Sequence, residues 1–153
     1  MSTINQGFND GQSAQYDRSI AKIFLGRNSY DRGQFTNHGY TPLFIPAGTL
    51  VGRNTTTPEH VELLNSAGSD GSQFPIGITR EDHTIAGGAN VQIYYCTAGD
   101  VAEEMIVFPT PGDDMNTVVV NKTYRDRIAS DTVGIKIVRT ADDLTDVENE
   151  ISY

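Results

Sequence analysis

Pro46 and Gly48 cut the apolar run Leu43–Val51 (LFIPAGTLV) in two, and that interruption constrains the fold more than any other feature of the chain. Proline has no N–H for a central ladder and glycine tolerates positive φ, so the run reads as two short strands joined by a tight turn. The same pattern recurs downstream. Val61–Asn65 is a further short strand, Ser66–Ser72 (SAGSDGS) is loop by composition, and Pro75–Thr79 is strand-like again. In Val91–Cys96 (VQIYYC), Val91, Ile93 and Tyr95 share one face while Gln92, Tyr94 and Cys96 share the other, the period of a half-buried strand. Short strands at this spacing predict a mainly β chain with minor α, built on a small β-barrel-like body.

Residues 1–19 (MSTINQGFNDGQSAQYDRS) are rich in Asn, Gln, Ser and Gly and follow neither a period of 2 nor one of 3.6. Such a segment buries too little apolar surface to offset its ordering entropy. The apolar island Ile20–Leu25 (IAKIFL) follows, then another polar, Gly-containing stretch to Gly39. Two readings compete for the island: an edge strand of the body, or the anchor of a flexible arm that orders by adding a strand to a partner. The second gives a domain plan with a flexible N-terminal arm over 1–39 and a β-rich body over 40–153, the latter including a short α/β C-terminal extension, 109–153. The residues expected to anchor the arm on a partner are Phe8, Tyr16, Ile20, Ile23, Phe24 and Leu25.

In the C-terminal third the pattern changes. Met105 to Phe108 reads as a strand stopped by Pro109 and Pro111, and Thr117–Val120 is a β-branched run. Thr123 precedes Asp126 by three residues, a weak capping box, and Tyr124 and Ile128 lie four apart on one face of a two-turn helix. Val133–Val138 alternates once more. Thr140 caps a final helix with an apolar stripe of Leu144, Val147 and Ile151 and five acids from Asp142 to Glu150.

Charge narrows the partners. The 153 residues carry 11 Lys+Arg and 20 Asp+Glu, a formal charge of −9, which repels phosphate backbones and argues against nucleic acid. Four basic and three acidic residues fall in 1–35 (+1), leaving seven basic and 17 acidic in the remainder (−10), so front and body suit different surroundings. No apolar run reaches signal or membrane length, which predicts synthesis in a reducing cytoplasm and no membrane partner; Asn54-Thr55-Thr56 and Asn121-Lys122-Thr123 then read as chance glycosylation patterns. Cys96 is the sole cysteine, so neither an intrachain disulfide nor a cysteine-built zinc site is available.

Chemistry-bearing motifs are sparse. His38, His60 and His83 stand too far apart for a metal-ligand pattern and read as solvated loop residues. The carboxylate pairs Glu81-Asp82, Glu103-Glu104, Asp113-Asp114 and Asp142-Asp143 are sequence neighbours, which on a strand point to opposite faces. Pro111-Gly112-Asp113-Asp114 lacks the length and spacing of a calcium loop. No Gly-x-Ser-x-Gly elbow or phosphate loop occurs. Arg125 and Arg127 read as surface charge, and Cys96 as a small buried hydrophobe. The expectation is a protein without catalytic residues, metal or cofactor, which works by fitting onto something.

The segments Ile45-Pro46-Ala47-Gly48-Thr49-Leu50-Val51-Gly52 and Pro75-Ile76-Gly77-Ile78, with Glu81-Asp82 close behind and the strand Val91–Cys96 after, resemble the lambda-type head decoration (capsid-stabilising) proteins of tailed bacteriophages. The likeness covers roughly residues 40–108. It implies a small homotrimeric virion protein on the outer capsid surface, made in the host cytoplasm, whose N-terminal arm engages the major capsid protein and stabilises the mature shell. Met105–Tyr153 has no counterpart in that family and is expected to cap the body, extend the trimer contact or project outward. The alternatives are a virion-surface carbohydrate-binding or head-appendage module, its seven tyrosines and Asn/Asp loops meeting sugars, or a neck or tail component.

Overall fold

A computed structural model describes residues 23–57 and 59–139. Ten strands and one helix follow in chain order: β1 Phe24–Thr36, β2 Leu43–Ile45, β3 Leu50–Arg53, β4 Val61–Leu63, β5 Gly77–Thr79, β6 His83–Ile85, β7 Asn90–Ala102, β8 Val118–Val119, β9 Lys122–Thr123, α1 Tyr124–Asp131 and β10 Gly134–Val138. The chain is mainly β with minor α, as its strand punctuation predicts.

β7 is the axis of the molecule. Antiparallel β1 lines one of its edges, with Phe24 opposite Val101 and Thr36 opposite Asn90. The other edge holds antiparallel β5 at Cys96 and Tyr95, then parallel β10 from Ala98 to Ala102. β3 and β4 continue the sheet beyond β5. The sheet then curls until its far end meets β1: the Gln34 N–H donates to the Glu59 carbonyl at 3.2 Å, and Gln34 bridges His60. This seam closes a small barrel. Glycine is needed there, because a Cβ on Gly33 would lie 2.8 Å from a Val61 methyl. β2 and β6 form a separate two-stranded sheet, and β8–β9 a short hairpin.

Alternation along the strands sorts the apolar residues into two cores. Inside the barrel lie Phe35, Val51, Val61, Ile93 and Tyr95, joined by Ile45 and Ile85 from the β2–β6 pair. On the opposite face Leu50, Ile78 and Cys96 stand in one cross-strand row, with Val101, and are covered by Met115, Val119, Tyr124, Ile128 and Ile135. β7 is therefore buried on both faces at Tyr95 and Cys96, not half-buried as its alternation predicts.

The C-terminal segment through residue 139 caps the body. Thr123 is the N-cap of α1, its hydroxyl accepting the Asp126 N–H at 3.3 Å. Tyr124 and Ile128, four residues apart, are fully buried, each contributing about 1.5–3 kcal/mol of apolar burial. Burial pushes the Tyr124 hydroxyl up to about 12. α1 supplies the crossover that parallel pairing of β10 with β7 demands.

Four further expectations differ from the structure. The body does not begin near Tyr40: β1 is one of its long strands, and Ile23 and Phe24, expected on an arm, belong to the larger core. Their burial against Leu50 and Val101 outweighs the polar composition that follows them. Met105 to Phe108 is not a strand; Glu103–Met105 is a 3-10 turn, and Val107 makes a single bridge to Thr49. His83 lies on β6 instead of in a loop. Arg125 and Arg127 are structural: Arg125 grips Glu103 with both guanidinium nitrogens, while Arg127 donates to the Val119 and Val120 carbonyls and covers the Phe74 ring. Phe8, Tyr16, Ile20 and the helix expected from Thr140 lie outside the described residues.

Candidate interaction surfaces

The segments that carry the family resemblance are brought together as one hydrogen-bonded knot. Pro46-Ala47-Gly48 makes the tight turn between β2 and β3, with Gly48 at φ +93°. The Ala47 N–H donates to Asp82 Oδ1 at 2.7 Å, a short charge-assisted bond, and the Gly48 N–H donates to the Thr79 carbonyl at 2.9 Å. The Thr79 N–H donates to the Thr49 carbonyl, the Thr49 N–H donates to Thr79 Oγ1, and both hydroxyls donate to the Pro46 carbonyl. One member of the Glu81-Asp82 pair thus holds a turn, while Glu81 pairs with Arg80.

One member of each of the pairs Glu103-Glu104 and Asp113-Asp114 is held in the same local way. Glu103 accepts from Arg125 and Arg139, which hold its carboxyl below the usual carboxylate range, Arg125 most strongly. Asp114 accepts the Asn116 N–H in the loop before β8. Among the described residues no three His, Cys, Asp or Glu side chains gather to hold a metal ion. Cys96 is fully buried, and burial pushes its thiol above the ordinary range. Its Sγ donates to the Ala98 carbonyl and receives the Asn28 amide. Among the described residues no helix is long and apolar enough to cross a membrane.

Of the six expected arm anchors, three fall among the described residues. Ile23 and Phe24 are 3% and 8% exposed and unavailable to a partner, whereas Leu25 is 39% exposed. Ile23 packs beside the resemblance turn: a Cβ on Gly48 would lie 3.7 Å from its Cδ1. Ile23, the first described residue, therefore lies next to Pro46-Ala47-Gly48.

Two surface features escaped the sequence reading. Beside that turn runs an apolar groove of about 250 Å3, lined by Leu43, Phe44, Pro46, Leu63, Phe108 and Pro109, with Phe44 58% exposed. Leu43 and Leu63 looked like ordinary strand residues; only the fold sets them side by side. The second feature is the outer face of β1 and β7. There the Arg80 guanidinium lies 4.5 Å from the centre of the Tyr94 ring and 5.5 Å from that of Tyr30, and Gln92 Nε2 donates to the Tyr94 hydroxyl at 3.2 Å. Next to it, at the barrel seam, Arg32, Gly33, Gln34, Arg53, Glu59 and Gln92 line a polar cleft of about 310 Å3.

No protein-family model matches the chain, and no curated protein matches it either.

Proposed function

We propose that the protein is a capsid decoration protein, binding the outer surface of a tailed-phage head and stabilising the mature shell. The observation that carries this reading is the hydrogen-bonded knot. The segments resembling lambda-type decoration proteins lie as far apart in sequence as Pro46 and Asp82, yet they form one structural unit. Residues 1–22 are the arm that engages the major capsid protein, and Ile23, which follows them, lies beside that unit. With Ile23 and Phe24 assigned to the core, the shell contacts reduce to Phe8, Tyr16, Ile20 and Leu25. Apart from Leu25 near the start of β1, the acidic body is free of shell contact and faces outward. Self-association is a homotrimer.

The test is binding of purified protein to mature tailed-phage heads that lack their own decoration protein. Full-length protein is expected to saturate the heads and raise their disruption temperature. A truncation starting at residue 23 is expected to stay folded and lose binding. Cutting deeper, within β1, would unfold the body and prove nothing about the arm. Light scattering behind size exclusion reports the oligomer. A full-length chain that ignores mature heads, or that assembles as a ring of five, six or twelve, overturns the reading in favour of a neck or tail component.

A further inference from the structure

Arg80, Arg125, Arg127 and Arg139 are each ion-paired. Among the described residues Arg27, Arg32, Arg53, Lys122 and Lys136 pair with no carboxylate, and of these Arg32 and Arg53 come together in the lining of one cleft, at the barrel seam. Arg53 is held in place from behind, its Nη2 donating to the Tyr95 hydroxyl at 2.8 Å, while the body of Tyr95 is buried in the barrel. Arg32 stands directly across from Tyr94 on the same outer face, with Gln34 opposite Gln92 one step further along. The cleft thus offers two guanidinium forks, two amides and one carboxylate acceptor, Glu59, beside the Tyr30–Arg80–Tyr94 stack.

We infer that this cleft binds a carboxylated saccharide, a sugar of the uronic-acid class. The two guanidinium groups take the carboxylate, since planar N–H forks match its two oxygens. The Gln34 and Gln92 amides and the Glu59 carboxylate read ring hydroxyls, which both donate and accept. The volume, about 310 Å3, admits a sugar ring. The presence of Glu59 and the acidic body disfavour phosphate, which carries a partial second negative charge and lacks the ring hydroxyls that the two amides would read. One uronic-acid ring, with a single carboxylate and several hydroxyls, satisfies all three kinds of lining group. The inference is independent of shell binding, because the cleft belongs to the body alone.

The experiment is calorimetric titration of the isolated full-length chain with tetragalacturonate, with the neutral galactose tetramer and with poly-glutamate as comparison ligands. Saturable binding of tetragalacturonate is expected, with the neutral tetramer and poly-glutamate at least about tenfold weaker. Arg32→Gln, on an exposed side chain, is expected to weaken tetragalacturonate about tenfold without changing the thermal midpoint. Gln92→Ala should weaken the sugar and leave any residual poly-glutamate binding unchanged. The inference is overturned by absence of saturable binding, by equal affinity for the neutral tetramer or for poly-glutamate, or by an Arg32→Gln variant that binds tetragalacturonate as the parent does.

Discussion

Replacing Phe24 by alanine separates a core residue from an arm residue. Phe24 is 8% exposed, sits opposite Val101 and meets the Tyr30 ring edge-on, with centroids 5.6 Å apart and planes at 81°. Phe→Ala substitutions in cores cost about 3–5 kcal/mol. Phe24 lies at the first turn of β1, where neighbours relax into the space more readily than in the barrel centre, so the lower end, about 3 kcal/mol, applies. In a domain of this size that lowers the melting midpoint by roughly 6–12 °C. The assay is urea unfolding followed by far-UV circular dichroism, with the slope unchanged so that the midpoint shift reports stability. Leu25→Ala is the control: at 39% exposure it should cost no more than about 1 kcal/mol. A Phe24→Ala variant within about 0.5 kcal/mol of the parent that nonetheless loses shell binding would return Phe24 to the arm and refute the core assignment.

Two further outcomes test the architecture. Gly48→Ala should destabilise by at least about 1–2 kcal/mol, because φ +93° is strained for an L residue and its Cβ would lie 2.5 Å from the Met105 carbonyl oxygen; a midpoint equal to the parent's would mean that the turn is not built as described. Glu103 has a folded pKa below its ordinary 4.5, so its contribution is present above that pH and is lost as pH falls through the lower folded value. Glu103→Gln should therefore flatten the acid limb of a stability–pH curve below about pH 4.5, and an unchanged limb would show that the Arg125–Glu103 pair does not contribute.

What could be read from the sequence was whatever rests on local steric rules. The Pro46-Gly48 break, the short strands at 61 and 77, and the Thr123 cap with Tyr124 and Ile128 beneath it all follow from backbone preferences and a single amphipathic period. β1 could not be read this way. Its centre, Gly26 to Gln34, is polar and broken by bulges, with Arg27 at φ +53° and register shifts up to Tyr30. Only the two ends, Phe24 and Phe35, are buried. That strand exists because β7, equally long, provides it with a ladder, and a single-chain pattern carries no sign of such a partner. Arg127 was misjudged for a related reason: its acceptors are the carbonyls of the β8–β9 hairpin, where Val120 and Asn121 adopt positive φ, and backbone acceptors leave no trace in side-chain spacing. In the polar cleft, Arg53 ends β3 and Glu59 lies in the β3–β4 connection, whereas Arg32, Gln34 and Gln92 come from β1 and β7, so only closure of the barrel assembles them.

The pairing of β1 and β10 with β7 has a consequence for synthesis. Phe24 waits for Val101 and Ile135 finds Gly99, so neither strand can dock until most of the chain has emerged. Long-range pairings of this kind fold slowly and leave strand edges exposed in the interval. While it waits on the ribosome, β1 is an unpaired edge strand with bulges, glycines and charged side chains along its length. Those features, which obscure it as a strand, also disfavour edge-to-edge association of nascent chains.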